Sequence, residues 1–263
     1  MSMESMVLVI LAVFGAIIGS FLNVVILRLP QEGASIVYPG SHCPACSAPL
    51  RWYDNIPLVS YCLIGGRCRY CRTGISLQYP LVEACMAVLS AALFVRVGLA
   101  WEYLYYFVFL AGLLVIIFID IHHQIIPDLI SLPGILLGFG GSFLVTDLSW
   151  VQSGLGILCG GGVLYLVALG YYLLTRRDGM GGGDIKLLAM IGAFLGWQSL
   201  LFVIFFSSLT GSLVGIVMMI RGRSGSQTRV PFGPFLALAA ISYLFFSEQI
   251  SALWQLYLQR MAG

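Results

Sequence analysis

The sequence predicts an all-α, polytopic membrane bundle of about eight transmembrane segments with a small cytoplasmic insert. Three observations carry that reading. The 263 residues are 60% hydrophobic and only 9% charged, against about 25% charged in a soluble domain. The apolar residues gather into eight runs, and the basic residues fall almost entirely on one side of them. The lipid bilayer is the partner this composition requires. A net charge of +2 is too small to argue for nucleic acid.

Each segment follows from its own residues. The first run covers 6–27. A secretory leader is the alternative, but there is no basic n-region and the only early charge is Glu4. The run is also long enough to span, since about 20 helical residues cross a hydrocarbon core of about 30 Å. Residues 1–27 therefore read as a retained first helix with its N-terminus outside. The second and third runs cover 79–97 and 102–119, the fourth and fifth 129–145 and 151–174. The sixth, 185–196, is short for a span, and the seventh and eighth cover 199–220 and 232–246. The tail, 247–263, is mixed in character and suits an interfacial helix.

Alternation places 28–78, 120–128, 175–184 and 221–231 on one side. That side holds Arg28, Arg51, Arg67, Arg69, Arg72, Arg176, Arg177, Arg221, Arg223 and Arg229, with Lys186 near the same face. Only Arg96 and Arg260 fall near the other, so eleven of the thirteen basic residues agree. By the positive-inside rule this side is cytoplasmic.

Residues 28–78 form the only long polar stretch, and they carry Cys43-Pro44-Ala45-Cys46 and Cys68-Arg69-Tyr70-Cys71. Each C-x-x-C offers two thiolates to one tetrahedral ion, and two such knuckles close a four-cysteine zinc site. The 21 intervening residues lie just beyond the usual spacing. A reducing cytoplasm favours metal over disulfides. The zinc would be structural, because so short a segment builds little core and metal binding supplies folding energy. His42 adjoins the first knuckle as a neighbour rather than a ligand. Cys62, Cys85 and Cys159 have no paired spacing and read as ordinary apolar residues.

Two acidic motifs sit at the cytoplasmic boundary. Asp120 closes the third run in Asp120-Ile121-His122-His123-Gln124-Ile125-Ile126-Pro127-Asp128. Asp184 opens the sixth, after Gly179-Met180-Gly181-Gly182-Gly183. Acids at membrane segments are costly and mark function, and two of them suggest a proton-sharing pair that activates water. Pro127 disfavours helix at Ile126, so the third helix ends inside the first motif. Asp128 suits a cap for the fourth helix. Adjacent His122 and His123 do not face each other on a helix and suit a headgroup-facing position. The glycines allow positive φ and close approach of a substrate strand. A phosphate loop does not fit, since the glycines lead to an acid rather than to Lys-Ser/Thr. Lys186 suits snorkelling to the interface.

These motifs make the chain resemble the type IV prepilin peptidases, membrane aspartyl proteases of the G-x-G-D class (peptidase family A24). Gly19-Ser20-Phe21-Leu22-Asn23-Val24-Val25-Ile26-Leu27-Arg28-Leu29-Pro30 is similar to the family's N-terminal signature. The cysteine pairs flank Trp52-Tyr53-Asp54-Asn55-Ile56-Pro57, as in the family, and the two aspartate motifs match. Pro231-Phe232-Gly233-Pro234 looks like its late motif.

The resemblance implies a transmembrane aspartyl protease core over 79–246, with Asp120 and Asp184 catalytic and Gly181, Gly183, Lys186, Pro127 and Asp128 supporting the catalytic loops. It implies removal of the basic leader from type IV prepilins or pseudopilins. It also implies N-methylation of the new N-terminal residue by S-adenosylmethionine, in the bacterial inner membrane with the site at the cytoplasmic face. No methyl-donor loop can be read from spacing. Asp54, Asp128 and Asp178 are candidate neighbours of the basic leader. Helix dipoles favour Asp184, at a helix start, as the resting carboxylate and Asp120, at a helix end, as the proton holder. The rival readings are a peptidase without methylation, a proton-coupled transporter and a zinc-dependent thiol-redox protein. No inverted repeat favours the transporter, and the redox reading leaves both aspartates unexplained.

Overall fold

A chain this apolar must satisfy its backbone within each segment, and α-helices do so. The computed structural model describes residues 2–31, 33–176, 181–220 and 231–262, and no strand occurs among them. The chain divides into two compact units, Met1–Ile119 and Asp120–Gly263.

The first unit opens with α1 (Met3–Arg28), capped by the Ser2 side chain, which accepts the Ser5 N–H. The insert follows, with a 3₁₀ turn at Trp52–Asn55 and a short helix α2 (Val59–Leu63). Then come α3 (Gln78–Val97) and α4 (Trp101–His123), whose last residues begin the second unit. Small residues let membrane helices approach closely, and α1 meets α3 in this way. A Cβ on Gly15 would lie 2.6 Å from the Met86 carbonyl, and one on Gly19 2.8 Å from Cα of Glu83. Polar side chains reinforce the contact. Buried Asn23 donates to the Tyr79 carbonyl at 3.1 Å, and Ser90 donates to the Leu11 carbonyl at 2.6 Å. The buried carboxylate of Glu83 accepts the Leu58 N–H at 2.8 Å and ties the insert to α3.

The second unit contains α5 (Asp128–Gly141), α6 (Trp150–Thr175), α7 (Gly182–Leu195), α8 (Gln198–Ile220) and α9 (Gly233–Ala262). Its centre is α7, buried without interruption from Leu187 to Phe194. Glycines make room for it. Gly156 of α6 lies directly against Gly192 of α7, and Gly160 against the Leu188 carbonyl. Ser153 donates to the Ala193 carbonyl at 2.7 Å. Phe246 leaves helical geometry (φ −120°, ψ 17°) and kinks α9 at the boundary between the predicted eighth span and its tail.

All eight predicted segments fall on helices. Six are long and apolar enough to cross a membrane. The other two, α5 and α7, have 14 residues each, about 21 Å. The predicted fourth segment extended to residue 145, but α5 stops at Gly141, where Ser142 donates to the Phe139 carbonyl. The sixth begins three residues earlier than predicted, so Asp184 lies within the first turn of α7.

Candidate active site

Asp120 sits one turn before the end of α4 and is buried. The helix closes as Gln124 takes a left-handed conformation (φ 55°) and donates its N–H to the Asp120 carbonyl oxygen at 2.9 Å. The chain then runs extended to Pro127, the N-cap of α5. Asp184 is the third residue of α7, half-buried, with its own N–H on the Gly181 carbonyl.

Two contacts join these elements. Gly233, the first residue of α9, donates its N–H to Asp120 Oδ2 at 3.0 Å. Ile126 packs against both glycines: a Cβ on Gly183 would lie 2.9 Å from Cβ of Ile126, and one on Gly233 3.2 Å from its Cδ1. Asp120 and Asp184 thereby lie within electrostatic reach of each other. A Cβ at 233 would stand 2.6 Å from Asp120 Oδ2, so any larger residue there would push the carboxylate from its place.

The supporting residues take definite places, with some corrections. Asp128 does not cap α5; Pro127 holds that position, and Asp128 lies in the first turn. Its carboxylate instead accepts both available bonds from Lys186 Nζ, at 2.7 and 2.8 Å. Lys186 therefore does more than snorkel: it links the two aspartate motifs. Gly181 and Gly183 do not take positive φ. Gly183 is needed for the approach of Ile126, while Gly182 faces open space and Gly181 has only Asp184 Oδ2 near, at 3.9 Å. The exposed rings of His122 and His123 diverge, with centroids 6.5 Å apart.

Asp54, predicted to meet a basic leader, belongs to the insert's own fold. It pairs with Arg69 at 2.9 Å, accepts the Arg51 N–H, and its side chain is only 4% exposed. Asp128 is likewise paired. Asp178, Gly179, Arg177, Arg221, Arg223 and Arg229 lie outside the described residues.

The four cysteines of the insert converge. Cys43, Cys46, Cys68 and Cys71 have sulfurs all within 4.8 Å of one another. The two knuckles repeat one backbone pattern. Cys43 N–H bonds the Ala48 carbonyl and Ser47 N–H the Cys43 carbonyl; Cys68 N–H bonds Thr73 and Arg72 N–H bonds Cys68. Zinc–sulfur bonds of about 2.3 Å in a tetrahedron put sulfurs about 3.8 Å apart, and Cys43 and Cys71 stand at 3.8 Å. The donor set fits a four-thiolate ion. Cys71 Sγ stands 3.3 Å from the Thr73 hydroxyl, and hydrogen bonding with the Thr73 side chain and backbone brings its pKa down to about 6. His42 turns its Nδ1 to the Gly40 carbonyl.

Gly233, Ile126, Asn23 and Glu83 carry roles that sequence reasoning did not assign. Glu83 is an acid inside an apolar run, a signal already applied to the two aspartates. Gly233 and Ile126 act through backbone and shape, which leave no chemical signature.

A bundle of apolar helices that brings two carboxylates together at helix ends is the ground plan of a membrane aspartic peptidase. The sequence matches the Bacterial Peptidase A24 N-terminal domain over residues 13–97 and the Type IV leader peptidase family over residues 107–216. The chain belongs to the type IV leader peptidase family. It is 37% identical to a prepilin leader peptidase/N-methyltransferase of Pseudomonas aeruginosa, covering 90% of this chain and 89% of that one. A protein of the same name from Aeromonas hydrophila is 36% identical, with 90% of each chain covered. One from Myxococcus xanthus is 39% identical over 84% of this chain and 66% of that one. No solved structure matches the chain.

Proposed function

We propose that the protein removes the basic leader of type IV prepilins or pseudopilins and N-methylates the residue so exposed, with S-adenosylmethionine as methyl donor. The observation that carries the first activity is the meeting of Asp120 and Asp184 around Gly233 and Ile126. The second rests on the shared name of relatives that cover nine-tenths of the chain. Residues 79–246 form the peptidase core.

Like charges this close do not both ionise easily, so one carboxylate is charged and the other protonated. The charged one takes a proton from water; the protonated one hydrogen-bonds the scissile carbonyl. No covalent intermediate is required. Gly181, Gly183, Pro127 and the Asp128–Lys186 pair hold the two loops in register. A prepilin is an apolar helix with a basic leader, so its scissile bond lies at the cytoplasmic boundary of the inner membrane. The positive-inside rule puts both aspartates at that boundary. Zinc, held by Cys43, Cys46, Cys68 and Cys71, supplies folding energy to the insert and takes no part in hydrolysis.

The test is a cleavage assay in liposomes, read by mass spectrometry. A prepilin with its leader is supplied with and without S-adenosylmethionine. Wild type removes the leader with or without the donor and adds a methyl group only when it is present; Asp120→Asn and Asp184→Asn cleave at a small fraction of the wild-type rate. Cleavage without methylation reduces the reading to a peptidase. Full cleavage by either asparagine variant ends it.

A further inference from the structure

Resting on the aspartate pair just described, we propose that Asp120 is its base, Asp184 its acid, and the Gly233 backbone amide the group that assigns these roles. The helix-dipole ordering drawn from sequence gives the opposite. It counts the end of α4 against a charge on Asp120 and the start of α7 in favour of one on Asp184. The fold brings a third helix end to Asp120, a proximity that the sequence does not reveal. Gly233 is the first residue of α9, and its N–H points at Asp120 Oδ2 from 3.0 Å.

A direct hydrogen bond outweighs a dipole at a distance. A donor bonded to a carboxylate favours the charged form, and bonds to charged groups are worth about 1.5–3 kcal/mol against about 0.3–1 for a helix terminus. Both aspartates face a helix N-terminus, since α9 does for Asp120 what α7 does for Asp184. Only Asp120 also has the amide bond. Burial works against a charge on both aspartates, Asp120 being buried and Asp184 half-buried beside it; among the described residues only Asp120 has a hydrogen bond to its carboxylate that offsets this. The other charged neighbours do not reverse this. Lys186 and Asp128 neutralise each other, and His122 and His123 are exposed on the end of α4 itself. On α9 the nearest titratable side chain is Tyr243, ten residues or about 15 Å along the helix. The absence of a Cβ at 233 is what allows the approach.

The proton balance follows. Ionised Asp120 takes a proton from water as its oxygen bonds the scissile carbon. Asp184 gives its proton to the carbonyl oxygen, forming a geminal diol. Asp120 then passes its proton to the leaving nitrogen as the C–N bond breaks, and one diol hydroxyl returns a proton to Asp184. Both carboxyls end as they began.

The experiment replaces Gly233 with glycolic acid in the full-length protein, which turns its amide into an ester. The N–H is removed and no atom is added to the crowded side. Cleavage of a prepilin is followed as kcat/KM against pH in liposomes, beside Asp120→Asn and Asp184→Asn. The acidic limb of this profile reports the base. Loss of a donor that favours the charged form makes the base harder to ionise, so the limb moves to higher pH, by about one unit. Activity returns above it. An acidic limb that stays in place overturns the proposal, as does an ester enzyme inactive at every pH. Full wild-type cleavage by either asparagine variant instead overturns the aspartate pair itself, so the two failures are distinct.

Discussion

The cysteine insert and the aspartate loops both gather reactive side chains from distant stretches, but by opposite means. In the insert, one six-residue backbone pattern is used twice, at Cys43–Ala48 and again at Cys68–Thr73. Each half is locally determined, and an ion would need only to join two finished pieces. In the second unit nothing local suffices. Asp120 and Asp184 are placed by Gly233, by Ile126 and by a helix packed glycine against glycine. The lesson is that thiols one ion can join need only local folding, while an acid pair depends on contacts far from the acids.

Four experiments break or sharpen this contrast. The largest effect is expected at the carboxylates. Asp120→Asn or Asp184→Asn should lower cleavage by about 10²–10⁴-fold, the range of general acid–base catalysis, while zinc content and helicity stay at wild-type levels. Mass spectrometry of the substrate and metal analysis check both.

Zinc removal comes next. Chelation, or Cys43→Ser with Cys68→Ser, should abolish amide protection across 42–74 and leave that of 182–195 unchanged, because only the insert depends on the ion. Hydrogen exchange reads both regions in one sample. Equal loss in both would erase the distinction.

The third concerns glycine packing. Gly156→Leu sets a side chain against the Gly192 backbone, which cannot yield; Gly162→Leu enters open space. The first should cost about 1–3 kcal/mol or more and the second almost nothing, as read by thermal unfolding in detergent.

The smallest effect belongs to the ion pair. Lys186 and Asp128 are partly exposed, and such pairs contribute about 0.2–1 kcal/mol. Lys186→Met and Asp128→Asn should each reduce kcat by about two- to fivefold, and the double variant should lose no more than either single one.

How much of this was legible depended on the range of the contacts. Hydropathy placed the eight apolar helices, since each helix satisfies its own backbone. The cysteine spacing placed the four-thiol cluster, and the acids stood out against their apolar runs. The short sixth segment was visible, but its reason was not: α7 is enclosed by neighbouring helices, and small residues on α6 make that possible. Asp128 was misread as a cap because its partner lies 58 residues away. Asp54 was misread as a leader contact because Arg69, 15 residues on, takes it up. Gly233 stood in a recognisable motif, but its role could not be read there, since an amide belongs to every residue but proline.

The joint between the insert and α3 has a consequence for how such chains diversify. Glu83 grips the insert through the main chain of Leu58 and ignores its side chain. Leu58 adopts φ 62°, a conformation that glycine or asparagine takes more readily. The connection thus reads the path of the chain and is blind to the letters along it. A different cytoplasmic module could be grafted between α1 and α3 if it returned one amide to that carboxylate. The appendage can drift or be exchanged while the membrane helices beneath it keep their register.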